Sequence, residues 1–168
     1  MSVMFNASVP CLIQGLHNLL GILQKAMEFA ESKKIASETM VSSRLAIDML
    51  PLTKQVQIAC DTAKGCAGRL SDVTMPKYED NEQTLEELKN RIEKTLAFLN
   101  SLSPEQFEGS ESREIELKFP SMHMNFKGED YLHQFVLPNF YFHLTIAYGI
   151  LRHIGVNLGK KDFLGNIG

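Results

Sequence analysis

Hydrophobic positions recur along this chain at two periods, and the change of period separates its parts. From about Pro10 to Glu31, Leu12, Leu16, Leu19, Leu23, Ala26 and Ala30 return every three or four residues. That spacing puts side chains on one face of an α-helix. Ile13, Leu20 and Met27 widen the stripe, which suits a helix touching two neighbours. Ser8 is placed to cap the first free amides, and Pro10 to sit in the opening turn, where its missing donor costs little. The segment 32–50 is less regular and predicts a short helix around Glu38 to Arg44. Pro51 marks a restart or a kink, with Asp48 three residues ahead as its cap. The second long helix then runs to about Leu70 on the stripe Leu52, Val56, Ala59, Ala63, Cys66 and Leu70. Gly65 and Gly68 weaken its last turns, by about 1 kcal/mol each against alanine if exposed.

A polar loop, Val73 to Gln83, precedes the third long helix. Thr84 and Glu87 match a capping box, and Leu85, Leu88, Ile92, Leu96 and Leu99 share one face. Glu87 with Arg91, and Lys89 with Glu93, lace the other face, so this helix reads as a one-sided surface helix. After Ser103 and Pro104 the period becomes two. Ile115, Leu117 and Phe119, then Met122, Met124 and Phe126, alternate with polar residues on either side of Pro120-Ser121. This predicts a small hairpin whose apolar face lies on the helices, because two strands alone are marginal. The last long helix, about Asp130 to His153, is apolar on most faces and reads as central or shared with a partner. Within it Pro138 clashes with the carbonyl of Gln134, which predicts a kink or restart. Gly155 supplies a left-handed stop with Val156 packing back. The sum is an all-α fold over residues 1–168: one domain, a four-helix bundle with a small β-hairpin between helices three and four. The long connections permit an up-down-down-up order; spacing alone does not select it over up-down-up-down.

Composition then excludes several classes. Hydrophobic residues make up 44% and charged residues 22%, ordinary values for a folded domain. The formal net charge of −3, with no concentrated basic stretch, argues against a nucleic-acid partner. Lys33-Lys34 and Lys160-Lys161 read as solvated surface pairs. Gln14, His17, Asn18, Gln24, Lys25 and Glu28 interrupt the first helix, which is therefore amphipathic rather than a membrane span. Cys11, Cys60 and Cys66 are odd in number and form no CxxC pair, so they read as small buried side chains. Reduced thiols fit a cytoplasmic setting.

The polar residues with chemical potential are few. Asn139 and His143 lie one helical turn apart, just after Pro138. An imidazole can hold zinc or nickel, or act as a base near neutral pH; the alternative is a buried polar pair. His133 and His153 each stand ten residues away, about 15 Å along a helix and on another face, and read as separate surface or packing histidines. His123 falls on the solvent side of its strand. On the first helix Gln14 and His17 share a face, forming a polar groove or a surface patch. If His17 met His143 and a carboxylate, the set would make an open metal site. Asp48 is the candidate carboxylate, unless it pairs locally with Arg44; Asp61 reads as surface. Gln55, and the hydroxyls of Tyr131, Tyr141 and Tyr148, are further candidates to line a pocket. No HExxH, glycine-rich phosphate loop or GxSxG string occurs.

The strings RLAIDMLPLTKQVQIACDTAKG and LPNFYFHLTIAYGILRHIGV, with the ending GKKDFLG, resemble a bacterial and fungal family carried as a domain of unknown function. The resemblance covers essentially the whole chain. That family is similar to the DinB/YfiT-like helical bundles. It implies an up-down-down-up bundle, often a homodimer, whose better-known relatives hold zinc or nickel between helices. Their ligands are one histidine from the second helix and an HxxxH pair from the last. Some of those relatives are thiol-dependent transferases or isomerases. Carried over by residue, the pair falls on Asn139 and His143, and only the second position keeps histidine. The second helix here has none; Asp48 and Gln55 are its nearest polar substitutes. The favoured expectation is a non-catalytic bundle that binds a small ligand or a partner. The alternatives are a divalent-metal-dependent enzyme and a structural dimer.

Overall fold

Ser2, rather than Ser8, starts the first helix: its hydroxyl accepts from the Phe5 amide, and α1 spans Val3–Lys33. The structure, a computed structural model, describes residues 2–119 and 122–166. Ser8 is buried inside α1 and donates to the Met4 carbonyl at 2.6 Å. Pro10 therefore lies within the helix. It removes only the bond to the Asn6 carbonyl, and both residues are exposed, so water can take that acceptor. The short helix α2 covers Ser37–Ser42, and α3 covers Leu52–Ser71 with Pro51 at its N-cap. Among the described residues no side chain caps α3, so the capping role expected of Asp48 is not realised. All six stripe residues of α3 are fully buried. The helix runs on through Gly65 and Gly68, where neighbours fill the space a side chain would take, Arg69 at one and Met75 at the other.

In α4, Leu85–Asn100, the capping box forms as expected: Glu87 accepts from the amides of Thr84 at 3.1 Å and Gln83 at 2.6 Å. Its outer face differs from expectation. Arg91 is only 2% exposed, and instead of meeting Glu87 it binds Asp61, Asp80 and Glu82, each at 3.0 Å. The polar loop before α4 folds over α3 and α4 and delivers two of those acids, with Tyr78 beneath the guanidinium at 5.1 Å. Lys89 lies 3.9 Å from Glu86 rather than pairing with Glu93.

Strands β1, Glu114–Phe119, and β2, Met122–Lys127, pair antiparallel with Ile115 opposite Phe126 and Leu117 opposite Met124. The expected turn at Pro120-Ser121 lies outside the described residues. The hairpin's apolar face meets the last helical rod, with Phe126 6.2 Å from both Tyr131 and Phe135. That rod consists of the turn α5, Gly128–Asp130, a π-helical stretch, Tyr131–Val136, and α6, Leu137–His153. The interruption expected at Pro138 thus takes the form of a widened stretch just before it. The rod is not buried all round, since Tyr141 and Phe142 are exposed. Gly155 takes a positive φ of 107°, and buried Val156 donates back to Leu151 at 3.0 Å. A final turn, α7, Lys160–Leu164, rests on α1. The protein is mostly helical with one small sheet. Its four long helices share one hydrophobic core, in which α3 packs most extensively on α6 and α4. No described helix is long and apolar enough to cross a membrane.

Candidate functional site: the seam between α3 and α6

Gln55, Thr62 and Arg69 stand seven residues apart on α3, two helical turns each, and so line one edge of it. That edge faces the last rod, where His143, Asn139 and Tyr131 answer them. Three polar rungs result: Gln55 Oε1 to His143 Nδ1 at 2.8 Å, Asn139 Nδ2 to Thr62 Oγ1 at 2.8 Å, and Arg69 Nη1 to Tyr131 Oη at 3.1 Å. Tyr131 and Asn139 are eight residues apart. In an ordinary α-helix that overshoots two turns by about eighty degrees. The π-helical stretch between them, closed by bonds to the fifth residue, takes up the excess and keeps both on one face.

The first rung fixes a tautomer. Gln55 donates from Nε2 to the Leu50 carbonyl at 3.0 Å, so its Oε1 is the atom left to accept from His143. His143 Nδ1 therefore carries the proton and Nε2 the lone pair. Burial holds the His143 pKa below the ordinary histidine value, so the ring is neutral. Among the described residues no group hydrogen-bonds Nε2.

Beside the second and third rungs lies a cavity of about 260 Å³. Thr62, Asn139, Arg69 and Tyr131 give it polar groups, while Leu117, Phe119 and Phe135 give it an apolar wall. Burial pushes the Tyr131 phenol up, so it stays protonated. Gly65 matters here: a side chain at this position would occupy the space through which Arg69 folds back to reach Tyr131. Asp61, half-buried, also lines the cavity, but Arg91 at 3.0 Å and Lys64 at 2.9 Å already balance its charge.

The other candidates lie elsewhere. Asp48 is exposed in the turn before α3, and Arg44 donates to the carbonyls of Ile47 and Met49 instead of pairing with it. Gln14 and His17 are exposed on α1 and line a separate groove against α7, together with Lys25 and Lys161. There Gln14 donates to Asn18, which donates to the Phe163 carbonyl, both at 2.8 Å. His17 thus belongs to a different groove from His143. Tyr141 leans toward Cys11 on α1 rather than into the seam cavity. His123, His133 and His153 are exposed, and His123 meets Glu116 at 2.6 Å. Cys11, Cys60 and Cys66 are free, the last two buried.

This donor set does not fit the zinc or nickel ion that the superfamily resemblance implies. Around His143 the seam offers carboxamides and a hydroxyl, neutral groups that bind such ions weakly compared with histidine, thiolate or carboxylate. Among the described residues no three His, Cys, Asp or Glu side chains gather where they could hold a metal. Thr62 and Arg69 were not singled out by the sequence reading. Their signal was available in the seven-residue recurrence of polar side chains on α3, between its apolar positions.

No curated protein matches the chain. A solved structure described as a DinB family member protein from Shewanella denitrificans is similar to it at 42% sequence identity and a TM-score of 0.89, covering 97% of this chain and 92% of that one. The family described as Domain of unknown function (DUF1993) matches residues 4–164, nearly the whole length. Over that span, and with a DinB-like fold, the chain belongs to the DUF1993 family.

Proposed function

We infer that this protein binds a small organic ligand in the α3–α6 seam and acts by holding it rather than transforming it. One observation carries the reading: a cavity of about 260 Å³ with an aromatic side and a polar side formed by the Thr62–Asn139 and Arg69–Tyr131 rungs. Such a mixture of apolar wall and few oriented polar groups is what small-molecule sites use. Binding is favoured over catalysis because, among the described residues, His143 hydrogen-bonds only the neutral Gln55 and the rung beside it joins Asn139 to Thr62, which leaves it an oriented hydrogen-bonding group without a second acid or nucleophile. The test is a titration of the 15N-labelled chain with neutral, cationic and anionic small fragments, and with zinc and nickel salts. Saturable shifts at Thr62, Arg69 and Asn139 with organic fragments are expected. Response to the metals alone would replace this reading with the metal-dependent one.

The helix order fits up-down-down-up. In support, Asn139 and His143 of α6 meet Thr62 and Gln55 of α3 in reverse order, while Gln57 and Cys60 of α3 meet Glu82, just before α4, and Thr95, within it, in the same order. A second reading, a homodimer, is favoured by an exposed apolar patch near His143, made of Leu45, Ile47, Leu50 and Phe142, with Ile47 93% exposed.

A further inference from the structure

We propose that the ligand of the seam is a small monocarboxylate with an apolar, ring-sized body, its anionic end on Arg69 and its body against Phe119 and Phe135. The proposal rests on the reading of the seam as a binding site and adds the chemical class of what it binds.

The argument starts from charge. Among the described residues, two ionised side chains line the cavity, Asp61 and Arg69. Asp61 is balanced by Arg91 and Lys64. Arg69 has no carboxylate within ion-pairing distance among the described residues; its side-chain partner is the neutral Tyr131 phenol. The cavity therefore carries one uncompensated positive charge, on a half-buried guanidinium with N–H groups to spare. Screening by water is weaker there than on an open surface.

The donors are also paired. Tyr131 accepts from Arg69 through its oxygen and keeps its own proton, so an N–H and an O–H stand side by side. A carboxylate accepts two such donors at once, whereas an alcohol or amide oxygen at the same place gains much less from the charge. With Asp61 already balanced, the single free guanidinium offsets one negative charge, which selects a monoanion over a phosphate ester. Phe119 and Phe135, with ring centres 6.4 Å apart, give the apolar end a surface to cover, and the volume suits a single ring with a short chain.

The experiment compares 3-phenylpropionate with its neutral counterparts 3-phenylpropanamide and 3-phenylpropan-1-ol on the full chain, by NMR titration and calorimetry. The carboxylate is expected to shift Thr62, Arg69 and Asn139 saturably and to bind at least about tenfold tighter than either neutral probe, the scale of one charge-assisted hydrogen bond. Arg69→Gln should abolish that preference, while Arg69→Lys, which keeps the charge, should retain part of it. If all three probes bind in the seam with equal affinity, the ligand class is overturned and the seam remains a binding site. If the neutral probes bind there and the carboxylate shifts only signals near Lys25 and Lys161, the class is likewise overturned. If no probe moves any seam signal, the carboxylate proposal falls together with the reading beneath it. The comparison on the unsubstituted chain decides between these outcomes even if Arg69→Gln does not fold.

Discussion

Gln55→Glu exchanges a single NH₂ for an oxygen in the buried rung, and the consequences for stability depend on pH in the opposite sense to the native chain. Gln55 is 2% exposed; its amide NH₂ donates to the Leu50 carbonyl at 3.0 Å, and its oxygen accepts from His143 at 2.8 Å. Replacing the NH₂ by oxygen sets two acceptors against each other and leaves the Leu50 carbonyl unsatisfied, a loss of about 1–3 kcal/mol. The new carboxylate also stands beside the imidazole. An opposite charge at that range raises a histidine pKa by about 1–3 units, or about 1.4–4 kcal/mol in favour of the charged ring. In the native chain burial depresses the His143 pKa, so the unfolded chain takes up its proton first as pH falls. Native stability is therefore full above the ordinary histidine range and declines as pH falls through it toward the depressed folded value. In the variant the folded state takes the proton first. Its compensation is absent above the raised pKa and complete below the ordinary one. Urea unfolding followed by circular dichroism, near pH 8 and near pH 6, should show the variant less stable by about 1–3 kcal/mol at the higher pH and the gap closing at the lower. An NMR titration of the His143 ring should show its pKa raised. A gap that stays constant or widens on acidification, or a ring that titrates as in the native chain, would refute the rung as described.

Arg91→Met should cost about 3 kcal/mol, because it leaves Glu82, only 10% exposed, without its cation. Asp61 and Asp80 are nearly half exposed and add less. Thermal unfolding should show Tm lowered by about 6–12 °C for a chain of this size, and a loss below about 1 kcal/mol would reduce Arg91 to an ordinary surface ion pair. For the dimer reading, Ile47→Asp should convert the protein from dimer to monomer in sedimentation velocity; a native chain that is already monomeric at about 100 µM protein would end that reading.

The seam shows where sequence reasoning stops. Asn139 and His143 were legible as a pair, because one helix fixes their spacing. Of their partners, Gln55 was named only as one of two substitutes beside Asp48, and Thr62 not at all, because both lie on another helix and only packing sets its rotation and height. Arg91 shows the same limit in reverse. Its i,i+4 relation to Glu87 suggested a solvated ion pair, but the preceding loop brought Asp80 and Glu82 over it, and Glu87 was drawn off to cap its own helix. Ser8 and Pro10 looked like a helix start because each suits one. The helix instead begins six residues before Ser8, at Ser2, since a buried serine can bond back to its own helix and an exposed proline leaves only a solvated carbonyl.

By itself the sequence determined the number of long helices, their buried stripes, the capping box and the hairpin's alternation, all of which follow from repeats within a few residues of chain. Only the tertiary structure decided which polar groups meet across α3 and α6, that among the described residues Arg69 meets no acid while Arg91 meets three, and that a π-helical stretch brings Tyr131 into line with Asn139. Those outcomes depend on how helices rotate and slide against one another, and that is set by the packing of the whole core rather than by any local pattern.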